Sequence, residues 1–119
     1  MLLADLTGAF YPALAPIVGI IGTFVTGSTT SAGVLFAQMQ TEVAALLGVD
    51  PVQLVAANMA GGAIGKIISP QSIAVAVAAI GSIDGVKSVD SAIMGKTVKY
   101  CVLLGVIACA VSYITAVVI

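Results

Sequence analysis

Apolar residues in this chain gather into uncharged blocks separated by short polar runs, and the runs predict helices that start and stop inside a membrane. Residues 6–25 carry no charge, although Pro12, Pro16, Gly8, Gly19 and Gly22 interrupt them. Residues 100–119 are also uncharged and span about 30 Å as a helix, the hydrocarbon thickness of a bilayer. Between these two predicted spans the pattern fragments. The polar run Thr26-Gly27-Ser28-Thr29-Thr30-Ser31 closes the first block, and the block after it, to about Gly48, is too short to span. That second block contains Gln38, Gln40, Thr41 and Glu42. A half-helix, a polar break and a second half-helix describe a re-entrant or broken element rather than one spanning rod.

Two further helix starts are legible. In Asp50-Pro51-Val52-Gln53, Asp50 suits the N-cap, Pro51 the first helical position and Gln53 a capping box. The helix is expected to loosen at Gly61-Gly62. Ser69-Pro70-Gln71-Ser72 starts another, with Ser69 as N-cap, leading into the apolar run from Ile73 to Ile80. Residues 81–99 hold Asp84, Lys87, Asp90, Lys96 and Lys99 and read as an aqueous loop, with Val89 and Ile93 marking a short surface helix. Its three lysines place that loop in the cytoplasm and the C-terminus outside.

The predicted organisation is therefore an apolar helix over 1–25, a polar break over 26–33 and a half-helix over 34–48. A broken helix over 51–80, an aqueous loop over 81–99 and a last span over 100–119 complete it. The fold class is all-α integral membrane, with spanning helices flanking two broken or re-entrant elements.

Composition leaves little room for a soluble alternative. Hydrophobic residues make up 61% of the chain and charged residues 8%, against about 25% charged in soluble domains. The mean hydropathy is +1.23. A net charge of −1 offers no electrostatic footprint for nucleic acid. Cys101 and Cys109 are too far apart on one helix for a disulfide, and without His a transition-metal site is not expected. No cofactor is implied. No nucleophile–base or paired-carboxylate constellation points to an enzyme. With Asp5 near its start and no basic flank, the opening segment does not read as a secretory signal.

Candidate chemistry collects at the breaks. Thr26, Gly27, Ser28, Thr29, Thr30 and Ser31 would aim hydroxyls and free N–H groups at one point, an arrangement suited to a carboxylate. An extramembrane loop is the competing reading. Ser69, Gln71 and Ser72 repeat the arrangement, with Asn58 upstream. Lys66 is the sole charge between Asp50 and Asp84. An intramembrane lysine is a functional hypothesis by default, here as partner to an anion, with snorkelling as its rival. Gly61 and Gly65 form a G-x-x-x-G pair, read as close helix packing.

Specific strings carry a resemblance. Gly22-Thr23-Phe24-Val25-Thr26-Gly27-Ser28, then Val34-Leu35-Phe36 and Gln40, resembles a segment of lactate permeases. So do Leu54-Val55-Ala56-Ala57-Asn58, Gly61-Gly62, Gly65-Lys66 and Ile68-Ser69-Pro70-Gln71-Ser72-Ile73-Ala74. The order holds across nearly the whole chain. The resemblance implies L-lactate and glycolate uptake by proton symport across a bacterial inner membrane, by a carrier of broken helices. The chain would then be a C-terminal portion, working with the remaining spans in the lipid bilayer. Thr29 and Gly33 stand where the resemblance implies an acid and an Asn, and Tyr100 where it implies His. No acid lies in the first break, so a proton-coupling group is expected to lie elsewhere or to be absent. A dicarboxylate or Na⁺-coupled carrier and a non-transporting membrane subunit are the alternatives.

Overall fold

The computed structural model describes residues 6–81 and 89–118, and among these it is helical with no strand. A 3₁₀ turn at Gly8–Phe10 leads into α1 (Tyr11–Thr26), followed by α2 (Thr29–Leu47) and α3 (Pro51–Ile68). Then come α4 (Pro70–Ile80) and α5 (Val89–Val118).

The ends follow from local chemistry. Pro12 lies in the first turn of α1, where a missing N–H is tolerated. Gly27 closes α1 in the left-handed region at φ 71°, its N–H donating to the Thr23 carbonyl at 2.7 Å. Ser28 caps α2 by accepting the Ser31 N–H at 3.2 Å. Asp50 caps α3 through the Val52 N–H at 3.0 Å. Ser69 caps α4 through the Ser72 N–H at 3.3 Å.

Four expectations need correction. The first break is narrower than 26–33: once Ser28 caps α2, Thr29, Thr30 and Ser31 form its first turn, and the half-helix begins at Thr29. Gly61-Gly62 does not loosen α3, because α1 packs directly on that stretch and holds it helical. Gln53 makes no capping box; its amide reaches the Ser112 carbonyl of α5 at 3.5 Å, a partner available only through packing. Residues 89–99 are not loop but the first turns of α5, continuous with the last span. Asp90 in that first turn suits the positive helix end. The rest of the expected loop, 82–88 with Asp84 and Lys87, lies outside the described residues, as does Asp5.

Among the described residues two helices, Gly8–Thr26 and Val89–Val118, are long and apolar enough to cross a membrane. The pair Pro51–Ile68 and Pro70–Ile80 is bent by 41° at Ser69 and makes a third span if counted as one.

α1 and α3 touch backbone to backbone. A Cβ on Gly19 would overlap the Asn58 carbonyl, one on Gly61 the Pro16 carbonyl, and one on Gly65 the Ile20 carbonyl. Small residues permit such approach where no hydrophobic effect separates helix from lipid. Tyr11, Ala15, Val43, Ala44 and Leu54 form the buried core beside this crossing. α5 runs antiparallel to α3, bringing Gln53 to Ser112 and Cys101 to within 4.0 Å of the Ile64 carbonyl. Pro16 has no N–H for the Pro12 carbonyl four residues back. The Ser112 hydroxyl of α5 supplies the missing donor.

Candidate functional site

The two helix breaks, separated by about forty residues in sequence, meet in space. The Lys66 ammonium, in the last turn of α3, donates to the Gly27 carbonyl at the end of α1. Gln71, in the first turn of α4, lies against Gly27 from the other side: a Cβ there would stand 2.7 Å from its side chain. Gly27 thus needs to be glycine twice, for its positive φ and for this approach. Thr29, opening α2, donates through its hydroxyl to the Gly62 carbonyl of α3 at 3.4 Å.

Hydroxyls fill the remaining positions. Thr26 Oγ1 donates to the Ser28 carbonyl at 3.0 Å and accepts the Ser28 N–H at 3.2 Å, fixing the sharp turn between α1 and α2. Ser69 is buried, and its single hydroxyl proton faces both the Lys66 carbonyl (3.1 Å) and Ser72 Oγ (2.8 Å). Ser28 and Ser72 are half-buried, whereas Thr26, Thr30, Ser31, Lys66 and Gln71 are exposed on this chain.

Three features make the cluster attractive to an anion. The N-termini of α2 and α4 both open here, each with a partial positive charge. Main-chain N–H groups of Thr29, Thr30 and Gln71 lie in those first turns, where no intrahelical acceptor exists. Lys66 uses one of its three donors on Gly27, leaving two for a ligand. Charge is also distributed unevenly along the bundle. Lys66, Lys96 and Lys99 lie toward the end that carries the breaks, as the Cys101–Ile64 contact fixes, and Asp90 lies there too, bordering a recess with Pro70. Glu42 and Asp50 lie toward the opposite end, where Gln40 meets Tyr11.

Asn58 stands apart from this cluster. It is 1% exposed, and its side-chain oxygen accepts from Gln40 Nε2 at 3.2 Å. Gln40 Oε1 in turn accepts from the Tyr11 hydroxyl at 3.0 Å. This buried chain ties α1, α2 and α3 together. Sequence reading missed it, although two amides among apolar helical residues are a signal, since buried polar groups seek partners. Thr23 was missed as well. It is fully buried, its hydroxyl facing Gly62 with no hydrogen-bond partner among the described residues. Grooves lie elsewhere, one of about 410 Å³ between α3 and α5 and one of about 500 Å³ beside Lys96 and Lys99.

Comparison with known proteins agrees with the ordered motifs. The family model described as L-lactate permease matches residues 1–119. An L-lactate permease of Halalkalibacterium halodurans is 49% identical over 94 residues, covering 79% of this chain and 17% of that protein. An L-lactate permease of Bacillus subtilis is 42% identical over 109 residues, covering 92% of this chain and 19% of that protein. A glycolate permease of Escherichia coli is 40% identical over 112 residues, 91% of this chain and 19% of its own length. The chain thus spans under a fifth of the length of these relatives. No solved structure matches it.

Proposed function

The chain belongs to the L-lactate permease family, and from that premise we propose that it forms part of a carrier for L-lactate and glycolate. The observation that carries this reading is the meeting of the two breaks at Gly27, with Lys66 and Gln71 converging from α3 and α4. A 2-hydroxy carboxylate presents an anion and a hydroxyl within one small molecule. The free donors of Lys66 and the first-turn N–H groups of α2 and α4 hold the carboxylate. Ser28, Thr30, Ser31, Gln71 and Ser72 offer partners to the 2-hydroxyl. Thr26, Gly27, Thr29 and Ser69 shape the break, and Asn58 anchors α3 beneath it.

The carrier works in a bacterial inner membrane as a multi-pass protein, with further spans covering the exposed side of the cluster. The lysine-bearing end faces the cytoplasm under the positive-inside rule. Proton symport drives uptake, with the relay outside the cluster, because Thr29 offers no titratable group where an acid would couple directly. The relatives' names support the substrate class.

Binding of radiolabelled L-lactate to the reconstituted full carrier that contains this chain tests the reading. Lys66→Met and Ser72→Ala should each weaken binding about ten-fold, the effect of losing a hydrogen bond to a charged group. Unchanged affinity in both variants, or competition by acetate as strong as by glycolate, would remove the 2-hydroxy-acid site from this cluster.

A further inference from the structure

Lys96, Lys99, Tyr100 and Leu103 share one face of α5, since positions spaced by three, four and seven residues line up along a helix. They border a recess of about 500 Å³. Among the described residues, neither ammonium nor the Tyr100 hydroxyl has a hydrogen-bond or ion-pair partner. Tyr100 is 66% exposed. This face straddles the point where charge ends, because α5 carries no charged residue from Tyr100 to Val118. A stretch of that length is about 28 Å as a helix, so the two ammonium groups stand at the level of lipid headgroups.

A second recess begins one residue further on. The groove of about 410 Å³ between α5 and α3 is walled by Leu104, Ile107 and Val111 on one side and Ala60 and Ile64 on the other. The two recesses share no lining residue, but Leu103 of the first and Ile107 of the second lie one turn apart on α5, so the cationic face stands next to the mouth of the apolar groove.

We propose that these two recesses bind one anionic phospholipid, its phosphate held by Lys96, Lys99 and Tyr100 and its acyl chain laid along the groove. Charge complementarity selects the headgroup, and tyrosine at this level is the side chain suited to an interface, apolar in its ring and polar at its tip. Leu103 and the groove favour a lipid over a soluble anion, which would gain nothing from apolar walls. A second helix packed on this face would have to desolvate two unpaired ammonium groups, which is unfavourable without acids to meet them.

Competitive lipid binding to the full 119-residue chain tests the site, with phosphatidylglycerol and phosphatidylcholine as probes, read by native mass spectrometry from a neutral detergent. Phosphatidylglycerol should be preferred by about thirty-fold, the effect of two lysines on a lipid of net negative charge, since the choline ammonium of the other probe offsets its phosphate. The double variant Lys96→Gln/Lys99→Gln should bind both lipids alike, while Lys96→Arg/Lys99→Arg should retain the preference. Ala60→Phe, which fills the groove, should weaken both lipids and leave their ratio unchanged. Equal binding of the two lipids by the unaltered chain, or a preference that survives the glutamine pair, overturns the proposal. Displacement of phosphatidylglycerol by millimolar inorganic phosphate overturns it too, since the site would then be one for free phosphate. Lipid retention indifferent to Ala60→Phe removes the acyl groove.

Discussion

At the crossing of α1 and α3, glycine removes side chains so that two backbones touch, and each nearby amide or hydroxyl in the Tyr11–Gln40–Asn58 chain is spent on another protein group. At the breaks around Gly27, glycine lets the chain turn sharply, and the polar groups there are only half used: Lys66 commits one donor, and the first-turn N–H groups of α2 and α4 lack intrahelical acceptors. Both regions are rich in glycine and polar residues. What separates them is satisfaction, with Thr23 Oγ1 beside Gly62 the exception at the crossing. Polar groups that complete each other rigidify a fold, whereas groups left with spare capacity at a helix end are available to a ligand.

That contrast breaks most readily at Gly61. Gly61→Leu drives a side chain into the Pro16 backbone, which cannot yield, and should destabilise the bundle by about 3 kcal/mol or more. The measurement is equilibrium unfolding in mixed micelles followed by helical circular dichroism; a near-neutral result would mean the crossing is not tight. Gln40→Leu should be next. It strands the Tyr11 hydroxyl and the Asn58 side-chain oxygen in the interior, an expected loss of about 2 kcal/mol by the same assay. Ser112→Ala removes the donor to the Pro12 carbonyl and should lower stability by about 0.6 kcal/mol, the usual size for a hydroxyl bond between membrane helices. Lys66→Met should do least to the fold, within about 0.5 kcal/mol, because its side chain is exposed. A large destabilisation by Lys66→Met would erase the distinction between the regions and make this lysine a structural cap.

The local features were the legible ones. Asp50, Ser69 and their following prolines announce helix starts because capping involves residues within three positions of each other. Gly61 and Gly65 were read as a packing stripe, and they face the α1 backbone. Each break was visible alone, but nothing in the sequence shows that Gln71 lies against Gly27, since that depends on how α3 returns alongside α1. Gln53 misled for the same reason: a capping box is a local option, and packing against α5 offered a distant one. The five charges over 81–99 suggested loop, yet Asp90, Lys96 and Lys99 ride on a continuous helix. Hydropathy registers charge and misses that a long helix can extend beyond the hydrocarbon with its charged end in water.

The hydrogen bond from Ser112 to Pro12 joins residues one hundred positions apart. On a ribosome delivering about 5–20 residues per second, α1 waits on the order of ten seconds before its missing donor is made. Through that interval the Pro12 carbonyl has no main-chain hydrogen to accept and must borrow one from water or from the insertion machinery. The first helix of this chain therefore reaches its full set of hydrogen bonds only after the fifth has been made.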